Sequence, residues 1–378
     1  MRARQTIAHL AAFAGRGPGT DAERRAALWL AAQLRESGAE PRVQTFWCRP
    51  NWAAAQAWHV ALALAGSLVA VADARVGLAI AFVALALVVL DAWRGISLGR
   101  RLTPERASQD ILVSGPTGAR SRLLIVANYD AGRTGVIYGP GPTALRRRLR
   151  RITGGGAPGW LAWLALVVLW IVLATALRTR PGETHLAGVL AVVPTALLVI
   201  ALAALLEAAV ARPGPAAGDN ASGTAVALAL YQALAASPPR HLAVELVLRG
   251  AHEGSPAPRI RSRETIVLAL GACAAGTPGW SRSDGPLLPH AAGPQALAIC
   301  RELRDRHAQL GLAEFRSRSW PLARGPHITL GAADSEGLIP RSHRPDDVPE
   351  ALDPAVPDRV LELALLFVDA LDARLTEG

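Results

Sequence analysis

A chain of 378 residues can bury a full core and holds either one large domain with insertions or two average ones. At 51% hydrophobic and 19% charged residues, with a mean hydropathy of +0.26, it is too apolar for an ordinary soluble domain, and disordered or fibrous chains are excluded. Its net charge of +10 is carried by arginine alone, with no lysine, the bias of a high-GC genome; the three widely spaced cysteines form no disulfide framework or zinc knuckle and fit a reducing compartment.

In chain order, Thr20 to Ser37 has helical spacing through Ala26, Leu28, Leu30 and Leu34, and Arg42 to Trp47 alternates as a strand. From Trp52 to Trp93 the sequence is apolar apart from a break at Asp73-Ala74-Arg75, and a second such block runs from Gly159 to Val210, broken around Arg178 to Glu183. One bilayer crossing takes about 20 residues. Each block therefore predicts a helical hairpin, giving four transmembrane helices, because helices in soluble cores rarely stay apolar on all faces for this length. Trp52, Trp58, Trp93 and Trp160 stand at the ends of these runs, where indole rings favour the interface. Asp91 and Glu207 are expected to reach headgroups, and His59 and His185 to be interfacial. The first run begins well inside the chain, behind a polar segment, so it does not read as a signal peptide.

Between the blocks, residues 94 to 158 carry twelve arginines, including Arg146-Arg147-Arg148-Leu149-Arg150-Arg151, against Glu105, Asp110 and Asp130. Counting positive charge places this loop and both termini in the cytoplasm. The arginine run has no interleaved aromatics and no recognition motif, so no nucleic-acid partner is expected. It reads as a topology signal touching anionic membrane lipid, each basic residue contributing about 1 kcal/mol near the surface. Gly139 to Pro142 and Gly154 to Gly156 flank it as hinges.

The polar segments predict one α/β domain. Strands are expected at Asp110 to Ser114, Arg122 to Ala127, Leu242 to Leu248, Thr265 to Leu270 and His327 to Leu330. Helices are expected at Ala221 to Ala235, Gln295 to Leu310 and Pro357 to Leu375. The class is α/β, a mostly parallel mixed sheet with helices on both faces, plus the two inserted hairpins. The domain is thus divided into 1–52, 94–158 and 211–378, with hairpins at 53–93 and 159–210. In such sheets ligands bind beyond the carboxyl ends of the strands.

Polar residues cluster at those ends. Asn128-Tyr129-Asp130 follows one strand, Gly218-Asp219-Asn220-Ala221-Ser222-Gly223 opens a helix, and His252-Glu253 follows another strand. Ser342-His343-Arg344-Pro345-Asp346-Asp347 comes late. Asp, Glu and His together form a donor set that zinc accepts. Each residue also has a structural reading: Asp219 can cap the helix it precedes, Asp130 can bind backbone amides, and Glu253 with His343 can be a structural pair. Ser222 lacks a nucleophile-elbow context and reads as a helix-start residue.

The order of these motifs resembles the zinc exopeptidases of metallopeptidase family twenty-eight, which includes bacterial aminopeptidases and glutaminyl-cyclase relatives, and the resemblance spans all the polar sequence. It implies a zinc-exopeptidase-like phosphorylase/hydrolase fold. It also implies one metal position made by Asp219, Glu253 and His343, and hence one zinc per chain or none. At the second position the family's histidine is replaced by Asn128, and the strand ending at Leu270 runs into Gly271-Ala272-Cys273 without a carboxylate. His252 occupies the place of the general-base glutamate, and Asp130 that of the residue orienting the missing histidine; these two are the catalytic candidates. Two functions follow from this resemblance. One is a membrane-anchored, mono-metal aminopeptidase-like hydrolase acting on peptides. The other is an inactive pseudopeptidase serving as a binding or scaffold module for a membrane protein partner. In either case the expected location is the bacterial inner membrane, with the α/β domain cytoplasmic. A transporter is disfavoured by the near absence of charge inside the spans.

Overall fold

The computed structural model describes residues 3–116, 121–252, 264–322 and 325–375. The chain opens with α1 (Ala3–Ala12) and α2 (Asp21–Glu36), the latter started by Thr20, whose hydroxyl accepts from the Glu23 amide. It continues through β1 (Arg42–Cys48) into α3 (Trp52–Ala72) and α4 (Ala74–Arg94), a short α5 (Leu98–Arg101), β2 (Arg106–Val113) and β3 (Ser121–Asn128). Helix α6 (Pro140–Ile152) leads to α7 (Trp160–Arg178) and α8 (Thr184–Val210). Then come α9 (Ser222–Ala236), β4 (Leu242–Arg249), β5 (Thr265–Leu270), β6 (Thr277–Ser281) and a small ribbon of β7 (Ser283–Asp284) and β8 (His290–Ala291). The chain closes with α10 (Pro294–Arg306), β9 (Ala313–Phe315), β10 (His327–Ala333) and α11 (Val356–Arg374).

Eight strands form one mixed sheet in the order β1-β2-β4-β3-β5-β10-β6-β9. The four central strands β4, β3, β5 and β10 are parallel, while β1, β2 and β6 join antiparallel. Alternation along β3 divides its side chains between the two faces. Leu123, Ile125 and Ala127 enter the main core with Leu30 of α2, Leu230 of α9 and Phe367 of α11, whereas Leu124 and Val126 pack with Val267, Ala269 and Leu322. Because β3 is covered on both sides it is a continuous apolar run, as parallel central strands are.

The four apolar helices form a bundle with a core of its own, in which Trp52, Val60, Ala81, Val168, Leu198 and Leu205 meet. All four are long and apolar enough to cross a membrane. Their outward faces stay apolar: Phe82, Leu173, Val192 and Ile200 are 60–66% exposed. The polar breaks are short. Asp73 alone separates α3 from α4, its carboxylate capping the Arg75 and Val76 amides. The helix ends meet on one side of the bundle: the rings of Trp52 and Trp160 lie 4.9 Å apart, and Asn51 donates to the Ala209 carbonyl at the end of α8.

Four sequence expectations are corrected. Asp91 does not reach toward headgroups; it is fully buried, accepting from Arg100 Nε (2.6 Å), Ser97 Oγ (3.0 Å) and Gln56 Nε2 (2.8 Å), because the turn after α4 folds the Arg100 side chain back onto the bundle. His59 is likewise buried, beside Gln56. The Gly139–Pro142 stretch is no hinge: Pro140 and Pro142 lie in the first turn of α6, where a missing amide costs no hydrogen bond. The predicted helix over 295–310 stops at Arg306 and is followed by a separate 3-10 turn at Ala308–Leu310.

Removing one partner of a buried ion pair leaves the other uncompensated, a loss of about 3–5 kcal/mol. Asp91→Ala is therefore expected to lower the thermal unfolding midpoint of the detergent-solubilised protein strongly. Replacement of the exposed Arg148 by Ala should leave it unchanged; equal midpoints for the two variants would refute a structural role for the pair.

Candidate active site

The carboxyl ends of β3, β4, β5 and β10 open into a cavity of about 510 Å³, whose wall includes Asn128, Asp130, Asp219, His252, Gly271 and His343. It lies where parallel α/β sheets hold their ligands.

Asp219 sits in a single π-type turn, Ala217–Ala221, immediately before α9. It does not cap that helix. Its Oδ2 accepts from Ser342 Oγ at 2.8 Å and stands 3.7 Å from His343 Nε2. The turn is held from behind by Asp347, whose carboxylate accepts from the Gly218 amide (2.8 Å) and the Asp219 amide (3.1 Å). Burial, and secondarily the charge of Asp219, push the Asp347 carboxyl up to about 7. Ser222 closes the same turn, donating to the Gly218 carbonyl and accepting from the Cys273 amide, so it ties the start of α9 to the end of β5. Gly223 makes that contact feasible, since a Cβ there would stand 2.1 Å from the Gly271 carbonyl oxygen.

His343 is fixed on three sides. Its Nδ1–H donates to the Arg133 carbonyl at 3.0 Å, its ring stacks on Tyr138 at 4.4 Å, and its backbone takes φ 59°, a left-handed conformation costly for a residue with a side chain. Gly132 leaves room for the ring, because a Cβ at that position would lie 2.2 Å from His343 Cε1. With Nδ1 carrying the proton, Nε2 presents its lone pair toward Asp219. A tetrahedral zinc bound at about 2.0–2.1 Å to both atoms would hold them about 3.3 Å apart, close to the separation observed. The pair thus fits two ligands of one metal. Among the described residues no group of three His, Cys, Asp or Glu side chains converges on a common point, and Glu253 lies outside the described residues.

His252 lies on the same cavity wall, its Nδ1 buried without a hydrogen-bond partner among the described residues. Burial, with the charge of Arg249 beside it, pulls its pKa down to about 3, so the ring is neutral. Asp130 is buried and its Oδ1 accepts from the Asn128 amide at 3.3 Å, while its carbonyl accepts from Asn220. Beyond the end of β5, Gly271 and Ala272 offer no carboxylate. Asp284 reaches the cavity from β7, where one of its oxygens is taken up by His327 (3.2 Å) and Thr329 (2.6 Å).

Sequence reasoning missed Arg133 and Tyr138, which orient His343, and it quoted Asp347 without its role in holding the Asp219 turn. Nothing local marks the first two. Asp347 was accessible as the last carboxylate of the His343 motif.

Comparison with solved structures decides the fold. The chain superposes on Porphyromonas gingivalis glutaminyl cyclase with a TM-score of 0.53 at 14% identity, covering 98% of this chain and 97% of the other. The fold is that of the glutaminyl cyclases. Bacteroides thetaiotaomicron glutaminyl cyclase bound to N-acetylhistamine gives 0.52 at 12% identity over 97% and 95% of the two chains. A leucine aminopeptidase precursor from the same organism gives 0.50 at 12% identity over 97% and 94%, so the fold is shared with an aminopeptidase as well. No family model matches the chain, and no curated relative does.

Beneath the site lies a buried carboxylate. Glu23 of α2 accepts from the Gly19 and Ala251 amides and from Ser108 Oγ, and burial, reinforced by Asp130, raises its pKa from 4.5 to about 8. A raised carboxyl pKa in the fold means that the stability it contributes is fully present below about pH 4.5 and is lost as pH rises through 8. The loss is at most about 1.4 kcal/mol per pH unit across that window. Glu23→Gln should flatten the stability of the protein between pH 5 and 8 as measured by chemical denaturation; an unchanged slope would show that Glu23 is not the titrating group.

Proposed function

We propose that this protein is a membrane-anchored, exopeptidase-like hydrolase that retains one metal position, formed by Asp219, Glu253 and His343, and acts on amide bonds of peptides. The observation that carries the reading is the approach of His343 Nε2 to Asp219 Oδ2, with the histidine tautomer fixed by the Arg133 carbonyl. Conserving such a tautomer is the usual task of the groups around a metal-binding histidine. Zinc held there would supply Lewis acidity toward a substrate carbonyl. The chain's own contribution is positional: Tyr138 and Arg133 hold the imidazole, Ser342 and Asp347 hold Asp219, and the end of β5 closes the cavity floor. The anchoring rests on the exposed apolar faces of α3, α4, α7 and α8, which a bilayer would cover. The arginine-rich 94–158 segment favours a cytoplasmic site, in the inner membrane of a bacterium.

The substitution of His252 at the general-base position favours a second reading. Its buried, neutral ring carries no carboxylate's charge, so a binding or scaffold role without turnover is the alternative.

Metal analysis of the detergent-purified protein is expected to find about one zinc per chain, lost in Asp219→Ala and His343→Ala. Zinc-free protein would remove the hydrolase reading. If zinc is present, release of the N-terminal residue from aminoacyl amides, abolished by Glu253→Ala, separates the hydrolase from the scaffold. Membrane fractionation tests the anchoring independently: the protein is expected to resist carbonate extraction, and recovery in the soluble fraction would overturn it.

A further inference from the structure

The arginines of α6 divide between two faces of the helix. Arg147 and Arg151, one turn apart, are neutralised by Asp334 (3.1 Å) and Glu336 (3.0 Å), which clamp the helix to the loop after β10. Arg146 and Arg150, also one turn apart, instead line the cavity together with Arg318, which follows β9. Among the described residues none of these three has a carboxylate within ion-pair distance, and the Nε of each is buried without a hydrogen-bond partner. Their hydrogen bonds among the described residues are long ones to neutral oxygens. Arg146 reaches Thr143 Oγ1 at 3.4 Å, Arg150 the Arg316 carbonyl at 3.3 Å, and Arg318 the Gly156 and Ala157 carbonyls at 3.4 and 3.2 Å.

One buried guanidinium, Arg150, and two half-buried ones, Arg146 and Arg318, thus line the same cavity. Burial lowers the pKa of each, and Arg150 is further depressed by Arg318. Asp334 partly offsets this at Arg150, and cations gathered in this way favour the arrival of further negative charge. The arginines are also close to the candidate metal pair: Arg146 lies 6.0 Å over the ring of Tyr138, whose ring stacks on His343. On its other side the same cavity continues to Trp160, Leu161 and Trp163, the first turn of α7, and to Trp52 at the start of α3. Charge and apolar surface thus meet in one cavity where the apolar bundle begins.

We propose that this cavity binds an anionic amphiphile, its phosphate or carboxylate head held by Arg146, Arg150 and Arg318 and its apolar part lying against the first turn of α7. Guanidinium groups suit such heads because they pair with two oxygens at once. The inference rests on the membrane anchoring proposed above and is independent of the metal position.

The test uses the full chain in neutral detergent, with binding followed by calorimetry. The probes are dihexanoylphosphatidylglycerol as anionic amphiphile, dihexanoylphosphatidylcholine as its zwitterionic counterpart, and inorganic phosphate as the soluble anion. The anionic lipid is expected to bind about tenfold more tightly than either of the others and to weaken as salt is raised. Arg146→Gln and Arg318→Gln should each lose about tenfold in affinity, while Arg148→Gln, on the solvent side, should not. Equal affinity for the two lipids, phosphate binding as tight as the anionic lipid, or an unchanged affinity in both cavity variants would overturn the proposal. Since the comparison of probes on the unmutated protein needs no variant, misfolding of a variant cannot mask the result. Zinc content unaltered in the arginine variants keeps this outcome separate from the metal reading, and fractionation keeps it separate from the anchoring.

Discussion

The buried guanidinium of Arg16 joins the three backbone segments on which the cavity is built. It donates to the Leu10 carbonyl at the end of α1, to the Tyr129 carbonyl beyond β3, and to the Pro215 and Ala216 carbonyls of the strand of chain that returns from α8. Its own carbonyl accepts from the Ala131 amide. A fully buried cation is costly, and burial draws the Arg16 pKa down to about 10, opposed first by the charge of Asp130. One side chain therefore fixes where the second hairpin re-enters the domain, and with it the turn that carries Asp219.

The same constraint explains how two long insertions coexist with an unbroken sheet. Each hairpin leaves and re-enters on one side of the bundle, so β1 and β2 still pair across the first, and β3 still pairs with β4 across the second. Helix α6, the start of α7 and the loop around Arg318 contribute arginines and tryptophans beside the polar pair Asp219 and His343. The strand ends, α6 and the loop around Arg318 thus supply the cavity's charge, while the starts of α3 and α7 supply its apolar edge.

Much of the fold was legible because it is written in local pattern. The apolar runs over 52–93 and 159–210 could only be long helices, and β5 was read with its observed limits because Thr265 to Leu270 is bounded by polar sequence on one side and glycine on the other. Helix α6 was not legible: its proline- and glycine-rich start resembles a hinge, and its arginines mask the 3.6-residue period. The division of those arginines into a paired and a cavity-facing set depends on Asp334, Glu336 and Arg318, more than 160 residues away. Asp91 misled for a related reason. A carboxylate at the end of an apolar run looks solvated until a partner from the next helix, Arg100, is seen folded onto it.

By itself the sequence determined that the chain is an α/β domain interrupted by two apolar hairpins, and which polar residues follow its strands, because periodicity and hydropathy act over a few residues at a time. Only the tertiary structure decided that Asp219 meets His343 instead of capping α9, that Asp347 holds the turn between them, and that Arg146, Arg150 and Arg318 line the cavity without an ion pair among the described residues. Those are contacts between segments brought together by the sheet and by Arg16, and no local pattern encodes a distance across the fold.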